Sequence, residues 1–255
     1  MGWDSQVPED LAQKFFKWRE QLPLLSGVKI PRCLLAENFN HDNMTLHVFS
    51  DASKCAYGAV VYLRVVTDGC ASIQLVQAKF HVAPVKPVTI PRLELIGCCI
   101  GARLAKSVKD SLNLMQIPTY YWTDSMTALS WIQRDEQWGV FVRNRVEEIR
   151  KLSDVQSWFH VPGELNPADL PSWGCSGKNL LQSQWWEGPS WLLSEEWPHS
   201  NLECDEEAIN MEKKKAIVSS LANTEVPDRW YLKYFSNYKS VVNMIGWILR
   251  FSKNV

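Results

Sequence analysis

Leu46-His47-Val48-Phe49-Ser50-Asp51-Ala52-Ser53 is the stretch on which the fold turns. It reads as a buried β-strand that ends in a carboxylate. Asn38, Asn40, Asp42 and Asn43 precede it and are turn formers. Tyr57-Gly58-Ala59-Val60-Val61-Tyr62-Leu63 follows, a second apolar run close enough to pair as a hairpin. A strand with one acid at its carboxyl end, then a turn of small residues, suits a site at the edge of a sheet.

Working outward, the β pattern continues. Strands are expected at 44–49, 56–66 and 72–82, with a hairpin at Thr67-Asp68-Gly69. Pro84 and Pro87 close this antiparallel set. A helix is predicted from Pro91 to about 112, with Thr89 placed to cap it. Leu93, Ile96, Ile100, Leu104 and Val108 share one face, and Gly97, Gly101 and Ala102 permit close packing on a sheet. A strand at 119–123 ends in Asp124. Helices follow at 125–133 and 140–152, then a fifth strand at 155–161. Pro162-Gly163 turns the chain into a last helical start at Asn166-Pro167-Ala168-Asp169-Leu170. The order β-β-β-α-β-α-β implies a mixed α/β sheet of five strands with helices on its faces.

Four acids fall at element junctions: Asp51, Glu94, Asp124 and Asp169. In open α/β sheets, sites form beyond the carboxyl ends of the strands. If strands one and four are adjacent and parallel, Asp51 and Asp124 are neighbours there. The long helix and the closing helix can then add Glu94 and Asp169. Four converging carboxylates repel one another unless cations intervene. An all-oxygen set favours Mg²⁺, with Mn²⁺ as the alternative. Two such ions would suit in-line phosphoryl displacement.

The flanks are less regular. Residues 4–22 carry Leu11, Phe15, Trp18 and Leu22 at helical spacing, an appended helix expected to pack on the domain. Trp185, Trp186, Trp191 and Trp197 lie among Glu and Pro residues. They read as a strap over the domain, with a base-stacking surface as the competing reading, opposed by Glu187, Glu195 and Glu196. Residues 201–225 read as a linker, and 226–255 as an amphipathic helix.

Composition bounds the rest. The 255 residues are 46% hydrophobic and 22% charged, with net charge −1. No overall basic field announces nucleic-acid binding, so any such binding rests on a local patch. The seven cysteines are irregularly spaced without C-x-x-C, which indicates neither a disulfide framework nor a zinc site. No signal peptide is read at the N-terminus and no apolar stretch reaches the roughly 18 residues of a membrane span. An intracellular location away from membranes is the expectation.

Several blocks together resemble the ribonuclease H domain of BEL/Pao LTR retrotransposon polyproteins. They are Phe49-Ser50-Asp51-Ala52-Ser53 with Ala56-Tyr57-Gly58-Ala59-Val60, then Ile90-Pro91-Arg92-Leu93-Glu94-Leu95, then Trp122-Thr123-Asp124-Ser125 with Trp131-Ile132. Phe141-Val142-Arg143-Asn144-Arg145-Val146, Val161-Pro162 and Asn166-Pro167-Ala168-Asp169-Leu170-Pro171-Ser172 complete the set. The resemblance implies a ribonuclease H-like fold over 41–175, with a helical connection segment at 1–40, the Trp-rich strap at 176–200, and a C-terminal lead toward an integrase. Its flank begins at Gly2-Trp3-Asp4 and runs to Ile30-Pro31-Arg32. The chain is expected to be a fragment of a polyprotein, acting in the cytoplasm within a retroelement particle or in the nucleus.

The resemblance further implies hydrolysis of RNA in an RNA–DNA hybrid. Asp51, Glu94, Asp124 and Asp169 would hold two Mg²⁺ ions, and Lys54, Arg92, Arg143 and Arg145 would contact phosphates. Reverse transcriptase and integrase parts of the polyprotein would be partners. Two departures stand out: the 162–166 loop has no histidine, and Trp173 stands where the family usually carries arginine. A catalytically silent relic is the alternative. An aspartic peptidase would need a D-T-G or D-S-G turn, which Asp51-Ala52-Ser53 lacks. An integrase would bring a His/Cys zinc module, which is missing.

Overall fold

The computed structural model describes residues 6–30, 43–194, 196–198, 204–214 and 237–253. Its centre is a five-stranded sheet in the order β3-β2-β1-β4-β5. The elements are β1 (Met44–Ala52), β2 (Ala56–Thr67), β3 (Cys70–Val82), β4 (Thr119–Thr123) and β5 (Trp158–His160). β1–β2 and β2–β3 are antiparallel, whereas β1–β4 and β4–β5 are parallel. β1, which carries Leu46 to Ala52, is therefore the central strand.

The β2–β3 turn follows from two residues. Asp68 and Gly69 have φ of 51° and 78°, the doubly positive conformation of a two-residue hairpin. Val61 pairs with Gln77 and Tyr62 with Leu75, so Val76 is an extra residue that bulges β3.

Seven helices are described in the first compact unit, which runs to Lys215: α1 (Glu9–Arg19), α2 (Ile90–Leu112), α3 (Met126–Gln133), α4 (Val140–Leu152), α5 (Asp169–Trp173), α6 (Gly177–Gln182) and α7 (Glu206–Asn210). α2 is the crossover between β3 and β4. Its apolar stripe buries Leu93, Leu95, Ile100, Leu104 and Val108, and Asn113 ends it at φ 54°. Thr89 occupies the N-cap position but makes no side-chain capping bond. Pro91 supplies the preset φ instead. α2 packs on β1 and β2, and α4 packs on α2.

The second face of the sheet carries Phe49, Val60, Tyr62 and Trp122, covered by Ala168, Trp185 and Leu192. The chain from Gly177 to Leu193 is thus a layer of this unit.

Several boundaries differ from the sequence reading. The fifth strand is only Trp158–His160, because Val155–Ser157 forms a 3₁₀ turn capped by Asp154. The first helix stops at Arg19, and a 3₁₀ turn spans Leu22–Gly27. Leu11, Phe15, Trp18 and Leu22 are exposed, so their stripe does not pack on the domain. This segment is held instead through Gln21, whose Oε1 accepts from Gly177 N at 2.8 Å. The stretch read as a linker is docked over its described part, 204–214. Ile209 is fully buried, Trp131 Nε1 donates to its carbonyl at 3.2 Å, and Lys213 bridges to Trp138.

The second unit is Ala216–Val255; its described part is the helix Tyr238–Lys253, with no buried side chain. Gly2-Trp3-Asp4, Pro31-Arg32-Cys33, Asn38, Asn40, Asp42, Glu195 and Phe235 lie outside the described residues. The other six cysteines are free thiols. No described helix is long and apolar enough to cross a membrane.

Candidate active site

The parallel register brings two acids to one edge. Ser50 pairs with Thr123, so Asp51 and Asp124 leave β1 and β4 side by side. Glu94 arrives from α2, on the turn before Gly97. That glycine makes the approach possible: a Cβ there would stand 3.2 Å from both Asp51 O and Gly58 O. Asp169 is the first residue of α5.

Short polar links set α5 and its loop. Asn166 is buried; its Nδ2 donates to Ser50 O at 3.1 Å and its Oδ1 accepts from Ala168 N at 3.1 Å. Ser53 Oγ donates to Ser172 O at 2.5 Å. The loop lies close over Asp124, because a Cβ on Gly163 would be 3.4 Å from Asp124 Oδ2. His160 Nε2 stands 3.1 Å from Asp124 O, tying β5 to the end of β4.

The carboxylates feel one another. Burial, then the charge of Asp51, pushes Glu94 up to about 7, against a hydrogen bond from Ser125 that pulls it down. Asp124 is pushed up to about 8 by burial, then by Asp51 and Glu94. Asp169 is raised by burial and by Asp51, with Trp173 opposing. Asp51 therefore acts on all three of the others, and the structure brings the four acids to one end of the sheet.

Their oxygens are unequally engaged. Ser172 Oγ hydrogen-bonds Asp51 Oδ2, and Ser125 Oγ hydrogen-bonds Glu94 Oε2. Asp124 Oδ1 is buried with no partner. Among the described residues no three His, Cys, Asp or Glu side chains are gathered closely enough to hold a metal ion as they stand. The donor chemistry nevertheless fits a hard divalent cation: all-oxygen ligands, mutual repulsion to relieve, and one buried oxygen unanswered. Cys98 lies against this end, 3.4 Å from Ser50 Oγ, but burial pushes its thiol up to about 12. It stays protonated and is no nucleophile.

The four basic residues part company. Lys54 is exposed in the link between β1 and β2. Arg92 pairs with Glu212 at 2.6 Å and lies over the Phe141 ring at 4.8 Å. Arg145 covers the same ring at 3.6 Å and donates to Phe141 O at 2.9 Å. Arg143 is exposed, 3.8 Å from Glu147. Arg92 and Arg145 are thus already engaged within the protein.

Sequence reasoning passed over Ser53, Ser125, Asn166 and Ser172 as site residues. A signal existed for Ser125, which directly follows Asp124 and caps α3. The contact of Ser172 with Asp51 spans 121 residues and leaves no local trace.

A model of the Pao retrotransposon-like RNaseH-like domain matches residues 1–125. Among solved structures, the N-terminal RNase H domain of Rv2228c from Mycobacterium tuberculosis, fused to maltose-binding protein, is 12% identical. That match covers 48% of this chain and 86% of that one, with a TM-score of 0.32. LC11-RNase H1 in complex with an RNA/DNA hybrid is 12% identical over 48% of this chain and 88% of that chain, with a TM-score of 0.33. RNase H1 of Halobacterium salinarum is 13% identical over 47% and 85%, with a TM-score of 0.28. No curated protein matches.

Proposed function

We propose, from the match of residues 1–125 to the Pao retrotransposon-like RNaseH-like domain, that this chain hydrolyses the RNA strand of RNA–DNA hybrids. One observation carries the reading. Asp51 and Asp124 leave adjacent parallel strands at one end of the sheet, and Glu94 from α2 and Asp169 from α5 lie near enough to feel the charge of Asp51.

Asp51, Glu94, Asp124 and Asp169 would hold two Mg²⁺ ions, or Mn²⁺. Bound there, such a pair supplies an activated water and stabilises the departing 3′ oxygen. The rest is done by the chain itself. Burial and the charge of Asp51 favour the protonated forms of Glu94 and Asp124, so cation binding there would release protons. Asn166 and Ser53 fix the loop and helix that bring Asp169 to Asp51. Lys54 and Arg143, both exposed, would take phosphates, whereas Arg92 and Arg145, engaged at Phe141, would have to leave those contacts to do the same. The RNA strand would be told from DNA by its 2′-hydroxyls. Reverse transcriptase and integrase parts of a polyprotein are the partners this reading implies, within an intracellular retroelement particle.

Cleavage of an end-labelled RNA–DNA hybrid in Mg²⁺ or Mn²⁺ tests the proposal. The wild type should cleave the RNA strand only, a chelator should stop it, and Asp124→Asn should lose about a hundredfold or more. No cleavage by pure folded protein would make it a silent relic. Full cleavage by the Asp124→Asn variant would remove the site from the chemistry.

A further inference from the structure

The acids are held by hydroxyls in a crossed arrangement. Ser125 directly follows Asp124 in the chain, yet its Oγ donates to Glu94 Oε2. The same Oγ accepts from Ala128 N at 3.1 Å, so its proton and a lone pair are both used. Ser172 stands three residues after Asp169, yet its Oγ binds Asp51 Oδ2. It also lies 2.9 Å from Asp169 O. Two of the four acid-bearing junctions, those of Asp124 and Asp169, thus carry a hydroxyl that holds the acid of a different element.

Both hydroxyls are themselves well anchored. Ser125 caps α3, which fixes its backbone. The carbonyl of Ser172 accepts from Ser53 Oγ, and Ser53 Oγ accepts in turn from Cys55 N at 2.9 Å. Ser172 is 0% exposed and Asp51 4%, so no bulk water competes for that contact.

A carboxylate turns freely about its last bond, whose torsion has a broad, roughly two-fold preference. Tying one oxygen to a fixed hydroxyl orients the other. We propose that Ser125 and Ser172 are positioning residues: each takes one oxygen of its carboxylate and presents the other to a divalent cation shared with Asp124. Asp124 Oδ1 is buried without a hydrogen-bond partner, so it is the oxygen of that side chain left to share the cation. The inference rests on the ribonuclease H reading above and gives the serines no contact with substrate. Losing an outer partner of a ligating group costs about 10–100-fold in metal affinity.

The test is Mn²⁺ binding to the full chain without substrate, followed by isothermal titration calorimetry. Ser125→Ala and Ser172→Ala should each raise the Mn²⁺ Kd about tenfold or more, while Ser125→Thr, which keeps the hydroxyl, should bind as the wild type does. Hybrid cleavage by both alanine variants should recover at saturating Mn²⁺, which a folding defect would not allow. Should Ser172→Ala fail to fold, the Ser125 pair of variants carries the test alone. Wild-type Mn²⁺ affinity in the alanine variants overturns the proposal, as does cleavage that saturating Mn²⁺ leaves depressed. If the wild type binds no Mn²⁺, or Asp124→Asn leaves binding unchanged, the ribonuclease H reading has failed and the positioning role falls with it.

Discussion

The two faces of the sheet are closed by different means. On one, α2 comes so near that a Cβ on Gly101 would stand 3.1 Å from Val48 Cγ1 and 3.4 Å from Ala59 Cβ. On the other, irregular chain lays Trp185, Trp191 and Leu192 over Phe49, Tyr62 and Trp122. A helix answers its own backbone, so the first face needs no side-chain donors for it. A strap does not, and its carbonyls need donors from the sheet. Tyr62 OH donates to Trp185 O and Arg64 Nε to Leu192 O, each at 2.7 Å. Two buried donors of the sheet, Tyr62 and Arg64, thus answer the strap's carbonyls. The acids sit where both faces end, with Glu94 from the helix side and Asp169 beside the strap side.

The largest expected effect comes from breaking the helix face. Gly97→Val would drive branched methyls toward Asp51 O and Gly58 O, both already 3.2 Å from an ideal Cβ. Such overpacking costs about 3 kcal/mol in urea unfolding. Because Glu94 lies on the preceding turn of α2, hybrid cleavage should fall further than the unfolded fraction explains. A wild-type urea midpoint would show that the helix face has room to spare.

The strap face should reveal itself through pH. Trp122 Nε1, which can only donate, points at His47 Nδ1 at 3.2 Å, so that nitrogen is unprotonated. The proton sits on Nε2, 3.0 Å from Thr45 Oγ1. Burial, then the charge of Arg64, pulls the imidazole down to about 3. The unfolded chain takes the proton near 6.5, so this contribution is complete above that pH and is lost as the pH falls toward 3. Between pH 7 and 5 it amounts to about 2 kcal/mol. Glu94, whose folded carboxyl keeps its proton up to about 7, pulls the opposite way over its own range. The check is therefore a difference: urea unfolding of a His47→Gln variant should lack the acid-side loss that the wild type shows. Equal slopes would mean that His47 is charged, or hydrated, in the native protein.

The same contrast explains what the sequence could show. Leu93, Ile100, Leu104 and Val108 announce α2 because a helix repeats its buried face, and Asp68-Gly69 announces its hairpin because only that turn needs two positive φ values. Asp51, Glu94, Asp124 and Asp169 can be picked out as candidates because each stands at or near a junction of such regular elements. The serines that hold two of them were not, since a hydroxyl's partner in space leaves no period in the chain. Ile209 was hidden in the same way: one buried side chain in an acidic stretch, docked through the indole N–H of Trp131, makes a linker composition into structure. α1 erred in the other direction. Its apolar stripe has helical spacing, yet Phe15 and Trp18 stay exposed, because periodicity reports a helix and not what it meets.

The smallest effect asks whether the strap is held by packing or by donors. Tyr62 is fully buried, and burial pushes its phenol above its ordinary range, so the hydroxyl keeps its proton at every working pH. Tyr62→Phe preserves the ring and its edge contact with Trp185, whose centroid is 6.5 Å away, and removes only the bond to Trp185 O. That carbonyl is then left unanswered at a cost of about 1–2 kcal/mol. Urea unfolding should move by that amount while hybrid cleavage stays as it was, since the acids take nothing from Tyr62. An unchanged midpoint would assign the strap to its indoles alone, and a loss of cleavage would mean that the strap face, and not only the helix face, sets the position of Asp51.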